Sequence, residues 1–283
     1  SENQLNNFPL PITKFIGRHK EISELSLLLK THRLVSIIGP GGSGKTRLAC
    51  ETSARTDQYY TNGILFVDLA PVESGENLEN RIMETLDVKE IPGEDPVDVL
   101  LSEIRNKEML LVLDNCEHVV THCERICNAI LKNSKDIRIL VTSRMPLKIM
   151  AELAWGIRPL SILDPGKQLD LQKALNSEAI ELFTDRARLN DRRFQLDPDN
   201  VLDVARICHK LDAIPLGLEL AAAQTRYMDP GTILERMSDS FHELASPYTD
   251  AHERHKSLGA AFQWSYSLIS ENEKILLMRL SVF

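Results

Sequence analysis

The 283-residue chain has no run of 18 apolar residues free of charge, so it offers no helix to span a bilayer. Its opening, SENQLNNFPLPITKF, lacks both a basic n-region and an apolar h-region. That stretch reads as a polar linker after a further piece of protein, and it predicts a cytoplasmic location. Basic charge is in deficit, with 33 Lys and Arg against 41 Asp and Glu and a formal net charge of −8. A chain-wide footprint for nucleic acid is therefore excluded, though a local basic patch is not. Cysteines number five, without a C-x2-C pair. That odd count fits reduced thiols rather than a disulfide framework. Cys116, His118, His122, Cys123 and Cys127 crowd together, but at a spacing unlike a zinc finger; they read as a helix whose thiols face a core. Aromatics are few, 5%, and Trp155 and Trp264 read as packing anchors. Repeats and low-complexity tracts are absent.

What is present is a regular alternation. Hydrophobic residues make up 43% of the chain, enough for real cores, and the length suits two or three domains. LVSIIG, GILFVDLA, MLLVLDN and RILVTSR are continuous apolar, β-branched runs, the pattern of strands buried on both faces. WGIRPL, residues 155–160, is a weaker fifth. Helical stretches at residues 46–56, 77–86, 96–105 and 119–131 fall between them, and Ile22, Leu25, Leu28 and Leu29 recur at helical spacing ahead of the first strand. Strands alternating with helices predict an α/β fold with a parallel sheet covered on both sides. After Pro159 the pattern becomes helical only. SEAIELFTDRARL carries a stripe of Ala179, Ile180, Leu182, Phe183 and Ala187 with Ser177 as its N-cap. DPDNVLDVARICHKL repeats the stripe, and Pro215 opens a further helix. The arginines of DRARLNDRRF read as a solvated helix end, and His209 as a surface histidine. The chain stops on an apolar LSVF, which predicts that more protein follows Phe283.

The stretch RLVSIIGPGGSGKTRLAC matches G-x-x-x-x-G-K-[ST] at Gly39, Gly44, Lys45 and Thr46. Glycines let the backbone curl so that successive N–H groups face phosphate oxygens, and the following helix start favours anions. Lys45 reaches the β- and γ-phosphates of a nucleotide, and the Thr46 hydroxyl is a ligand for Mg2+. A second metal anchor is expected where MLLVLDN ends, at Asp114; the competing role for Asp114 is to cap the next helix. Both roles fit the Asp114–Asn115 pair, with Asn115 placed nearer the cap. Arg144, at the end of ILVTSR, is either a reporter of the γ-phosphate or an exposed, salt-bridged arginine.

FIGRHKE, GPGGSGKTRLA, LLVLDNCEHV, ILVTSR, SEAIELFTDRAR and ICHKLDAIPLGLELAAA follow one another in an order that resembles the STAND class of signalling ATPases. The likeness is to the NB-ARC-like modules of large bacterial transcription regulators of the LuxR and SARP kinds, and it runs from about Phe15 to Phe283. It implies a P-loop NTPase sheet of five parallel strands in the order 5-1-4-3-2, then a helical domain and the start of a winged-helix domain. The boundaries expected are 1–14 for the linker, 15–163 for the nucleotide-binding domain, 164–247 for the helical domain and 248–283 for the truncated winged helix. It further implies that Ile16, Gly17 and Arg18 pack by adenine and ribose, and that Pro40, Gly41, Gly42, Ser43, Gly44, Lys45, Thr46 and Arg47 hold phosphate. Thr46 and Asp114 would bind Mg2+, Arg144 would be the sensor arginine, and Pro215 and Leu216 would lie at the base.

Two departures bear on chemistry. Ala213 replaces the usual glycine of the GLPL motif. Asn115 stands where many relatives carry a second acid, and an amide cannot serve as a general base. Glu117 is the candidate substitute. The implied function is an ATP/ADP switch with slow ATPase activity, closed with ADP, opening and self-associating on exchange for ATP. Its implied partners are the effector and sensor domains of a parent protein, with no membrane and no direct nucleic acid. The alternative is an ordinary P-loop enzyme. NKEM, residues 106–109, begins like a guanine-reading motif but lacks its aspartate, and an arginine-rich kinase lid is not evident.

Overall fold

The computed structural model describes residues 5–9, 11–72, 78–163, 171–239, 274–275 and 278–279. The winged-helix segment expected from residue 248 and Trp264 fall outside these, apart from the two short pairs. Contacts divide the chain into two units, one of residues 1–40 and 45–158, the other of 41–44 and 159–283.

The first unit is built on a parallel sheet. Its strands are β1 (Leu5–Asn6), β2 (Leu34–Ile38), β3 (Gly63–Asp68), β4 (Leu110–Asp114), β5 (Arg138–Ser143) and β6 (Glu152–Gly156). They lie in the order β1-β3-β4-β5-β2-β6, all parallel. Read from β6, the five longer strands have the expected order 5-1-4-3-2, with β5 between β2 and β4. Helices α1 (His19–Thr31) and α2 (Lys45–Thr56) cover one face, and α3 (Leu78–Thr85), α4 (Pro96–Ile104) and α5 (Val120–Asn133) the other. Strand residues alternate between two cores. Leu65, Val67, Leu111, Leu113, Ile139 and Val141 meet α3 to α5. Ile64, Phe66, Leu110, Val112 and Leu140 meet α1 and α2. Because both pleat faces are buried, these strands read as unbroken apolar runs.

Two elements depart from the sequence expectation. The outer strand is β6, Glu152–Gly156, and not 155–160. It is an edge strand with an exposed Ala154, so only part of it carries an apolar signal, while Trp155 packs on the core as expected. The linker also contributes to the sheet. β1 pairs with Gly63 and Ile64, and the Asn7 side chain then takes the place of a strand backbone. Its Nδ2 donates to Phe66 O (2.8 Å), and its Oδ1 accepts from Phe66 N (2.7 Å).

The second unit is helical: α6 (Leu171–Ala174), α7 (Glu178–Asn190), α8 (Val201–Lys210), α9 (Pro215–Ala223) and α10 (Pro230–Asp239). The α7 stripe is buried around Phe183, and Val204, Cys208, Leu218, Ile233 and Met237 are also buried. Ser177 caps α7, its side chain accepting from Ile180 N (3.4 Å) while its hydroxyl donates to Ser161 O (3.0 Å). Ser177→Ala is expected to cost about 1 kcal/mol, the usual value of such a cap, read as a lower denaturant midpoint. Arg186 departs from the solvated reading of its stretch: it is buried, and its Nε donates to Glu219 Oε1 (3.0 Å), tying α7 to α9. His209 is exposed. The turn before α9 holds Ala213 at φ +50°, a left-handed conformation that costs a residue with a Cβ about 1 kcal/mol and glycine almost nothing. Gly41–Gly44 group with this unit, where Leu216 N donates to Gly42 O (3.1 Å). A Cβ at Gly42, at φ +74°, would fall 2.7 Å from Leu216 Cβ, so only glycine fits.

Candidate functional site

Parallel pairing in register brings the carboxyl ends of the strands to one edge. Ile38 of β2 is paired with Ser143 of β5 and Gly156 of β6, and Asp68 of β3 with Asp114 of β4. Ligands of open α/β sheets sit outside this edge. The phosphate loop leaves β2 here, and α2 begins at Lys45. Lys45 is nearly buried, and its Nζ donates to the carbonyls of Gly39 (2.8 Å) and Pro40 (3.0 Å). The ammonium thus lies along the loop that carries it.

Asp114 is 2% exposed at the end of β4. The Thr46 hydroxyl is shared between its two oxygens, 2.8 Å from Oδ1 and 3.0 Å from Oδ2. The Thr142 hydroxyl of β5 donates to Oδ1 as well. A hydroxyl and a carboxylate in contact beside a phosphate loop form an all-oxygen donor set, which suits a small hard cation such as Mg2+. Asp114 is not the N-cap residue of the helical turns that follow it; those are Asn115 and Val119.

The turn after β4 proves to be a hub. Asn115 sits at φ 64°, ψ 48°, and makes no side-chain cap bond, so the capping role expected for it is not the one it plays. Its Nδ2 instead donates to Asp68 Oδ1 (3.0 Å) and Asp114 Oδ2 (2.7 Å). Arg144 Nε donates to Glu117 Oε1 (3.2 Å), with both side chains largely buried. Of the two roles open to Arg144, the salt bridge is present, but it is not an exposed one. Glu117 is thereby engaged with a cation rather than free as a base. Its Oε2 is buried with no hydrogen-bond partner among the described residues. His118 Nε2 lies 3.0 Å from Leu69 O and 2.9 Å from Val72 O, fixing the segment after β3. Four side chains of the DNCEH turn thus reach α2, β3, β5 and the loop after β3. The sequence shows their chemistry but not their reach, because strand order alone makes β3 and β5 the neighbours of β4.

Ile16, Gly17, Arg18 and Arg47 belong to the first unit, whereas Pro215 and Leu216 open α9 of the second. Ile16 and Arg18 are buried, and Gly17 and Arg18 both take positive φ, 68° and 57°, at the entry to α1. Arg47, one residue beyond Thr46, donates to Thr13 O (2.8 Å) and Lys14 O (3.2 Å), holding the segment before Ile16 against α2. The thiols do no visible chemistry. Cys116, Cys123 and Cys127 are buried in the core under α5, and burial pushes the Cys116 and Cys127 thiols well above the usual range. Cys50 on α2 is pushed up to about 12, by burial first and by Asp114 second. Cys50, Cys116 and Cys127 are therefore thiols near neutral pH.

Residues 19–153 match the family model described as the NB-ARC domain. Those residues carry the NB-ARC domain of this chain. An uncharacterized protein of Mycobacterium tuberculosis is 36% identical over 272 residues, covering 96% of this chain and 66% of the relative. A second protein of that organism, named an HTH-type transcriptional regulator, is 36% identical over 256 residues, 90% of this chain and 27% of its own length. The chain therefore spans about two thirds of the first relative and about a quarter of the second. Among solved structures, the ORC2 protein of Aeropyrum pernix, described as ADPNP–ADP complexes, aligns with a TM-score of 0.52 at 14% identity, over 86% of this chain and 72% of that one. That likeness concerns the fold. Among the described residues, no helix is long and apolar enough to cross a membrane.

Proposed function

We propose that this chain is the regulatory module of a larger signalling or transcription-regulating protein, working as an ATP/ADP switch with slow hydrolysis. The observation that carries the reading is the contact of Thr46 with both oxygens of the buried Asp114, beside a lysine lying along its own phosphate loop. In this reading the Lys45 ammonium leaves the Gly39 and Pro40 carbonyls for the β- and γ-phosphates. Thr46 and Asp114 hold Mg2+, which supplies charge neutralisation to the phosphates. Pro40 to Gly44 and Arg47 complete the phosphate loop, Ile16, Gly17 and Arg18 border adenine and ribose, and Pro215 and Leu216 meet the base. Arg144 senses the terminal phosphate.

Slow hydrolysis follows from the turn chemistry. Asn115 cannot accept a proton in place of an acid, and Glu117 is paired with Arg144. A nucleotide cleaved slowly is suited to storing a state. ADP holds the resting form, and exchange for ATP opens the module and permits self-association, because ATP binds the open form better. The regulator among the relatives supports a role in transcription control, with effector and sensor supplied by other parts of the parent protein, in the cytoplasm.

The test is to extract nucleotide from purified protein and identify it. Near-stoichiometric ADP is expected. Guanine nucleotide, or an empty site combined with rapid multiple-turnover ATP cleavage, refutes the switch in favour of an ordinary P-loop enzyme.

A further inference from the structure

We infer that Asn115, steadied by Asp68, is a positioning residue that fixes the Asp114 carboxylate for the metal, and that an amide rather than a second acid is what this strand edge requires. The inference rests on the nucleotide reading above and goes beyond it, since it assigns a role to Asp68 and gives the Asn115 departure a cause.

The cause begins in the register. Asp68 and Asp114 are paired Cα partners on adjacent parallel strands. Adjacent strands lie about 4.8 Å apart, so two carboxylates in register at their ends repel unless something intervenes. Asn115 intervenes. Its NH2 group has two hydrogens, one for Asp68 Oδ1 at 3.0 Å and one for Asp114 Oδ2 at 2.7 Å. Both partners are carboxylate oxygens, so the amide nitrogen and not its oxygen must face them. The left-handed backbone at φ 64° aims the side chain back over the strand ends, a conformation that asparagine enters more readily than most residues.

A second path joins the same two residues. Asn115 N donates to Thr142 Oγ1 (3.1 Å), and the Thr142 hydroxyl donates to Asp114 Oδ1. Each oxygen of Asp114 is thus connected to Asn115, one through its amide and one through its backbone. Asp68 is anchored in turn by Ala70 N, which donates to Oδ1 at 2.9 Å. Ala70, Asp68, Asn115 and Asp114 form one chain of hydrogen bonds ending on the candidate metal ligand. Groups that orient a ligating carboxylate commonly change metal affinity by about 10- to 100-fold when removed. An aspartate at 115 would place a third carboxylate in this row and remove both donated hydrogens.

The experiment measures affinity for a fluorescent ATP analogue with Mg2+ and with EDTA. It uses the whole chain and the variants Asn115→Ala, Asn115→Asp, Asp68→Ala, Asp68→Asn and Asn115→Ala/Asp68→Ala. The readout is the gain in affinity that Mg2+ confers. Asn115→Ala, Asn115→Asp and Asp68→Ala are each expected to cut that gain about tenfold, leaving the EDTA affinity within about twofold of wild type. Asp68→Asn keeps an acceptor oxygen for Ala70 and Asn115 and is expected to retain most of the gain. The double variant is expected to lose no more than the worse single one, because the two residues act in series. Equal losses with and without Mg2+, additive losses, a gain untouched by any variant, a stronger gain in Asn115→Asp, or Asp68→Asn behaving like Asp68→Ala each overturn the positioning role. Wild-type protein that binds the analogue without any Mg2+ gain overturns it too, while leaving nucleotide binding intact. Wild-type protein that binds nothing in either condition overturns the nucleotide reading and this inference together.

Discussion

Lys45→Ala is expected to weaken ATP and ADP binding by about a hundredfold or more, leaving protein purified without bound nucleotide. The lysine is the only cation in the phosphate-loop motif ahead of Thr46, and its Nζ lies along the Gly39 and Pro40 carbonyls, within the loop itself. Charge-assisted hydrogen bonds are worth about 1.5–3 kcal/mol each, and a phosphate oxygen binds an ammonium more strongly than a carbonyl does. Loss of about 3 kcal/mol corresponds to about a hundredfold in affinity. A ligand that binds the native state raises its stability by mass action, so saturating ADP should lift the melting temperature of wild type but not of the variant. The measurement is a thermal melt with and without ADP, beside calorimetric titration. An equal ADP-induced rise in both proteins would show that the phosphates are held elsewhere. A variant that loses nucleotide yet melts as nucleotide-loaded wild type does would show that the ligand adds no stability.

Asp114→Ala is expected to abolish the dependence of nucleotide binding on Mg2+ and to destabilise the fold as well. The carboxylate is buried and accepts from Thr46, Thr142 and Asn115. Alanine removes the acceptor those donors share, and for the buried Thr142 hydroxyl the loss of a partner costs about 1–3 kcal/mol. Relief of the repulsion between Asp68 and Asp114 offsets part of the total, so a net loss of about 1–3 kcal/mol in unfolding free energy is expected. Denaturant unfolding reads the stability, and titration with Mg2+ against EDTA reads the metal. Retention of the full Mg2+ effect would remove Asp114 from the metal site, whatever the stability change. Comparison with Lys45→Ala separates the two sides of the site. The lysine variant loses affinity with or without metal, whereas the aspartate variant loses only what Mg2+ adds.

Some parts of this protein were legible because one physical signal dominates them. A strand buried on both faces must be apolar throughout, so β2 to β5 stand out of the sequence without help. A helix buried on one face must repeat its apolar residues every third or fourth position, as α1, α7 and α8 do. β6 is blurred because an edge strand with an exposed Ala154 lacks the continuous run. β1 is invisible for a different reason. Two residues in a polar linker have no period, and their pairing depends on the free edge of β3 and on Asn7 mimicking a strand backbone. α10, PGTILERMSD, falls in the stretch that reads as helical only, and Ile233 and Met237, four positions apart and both buried, carry its stripe.

The sequence by itself determined the alternation of strands and helices, the phosphate loop, the acid at the end of β4 and the arginine at the end of β5. Each is a local signal, carried by residue type and spacing within a dozen positions. Only the tertiary structure decided what those groups face. That Asn115 bridges two acids instead of capping a helix, that Glu117 engages Arg144, and that Asp68 belongs to the site all follow from β4 lying between β3 and β5. The physical reason is that hydrogen bonds across strand ends join residues 27 to 47 positions apart, and no local period encodes which strand becomes the neighbour of which.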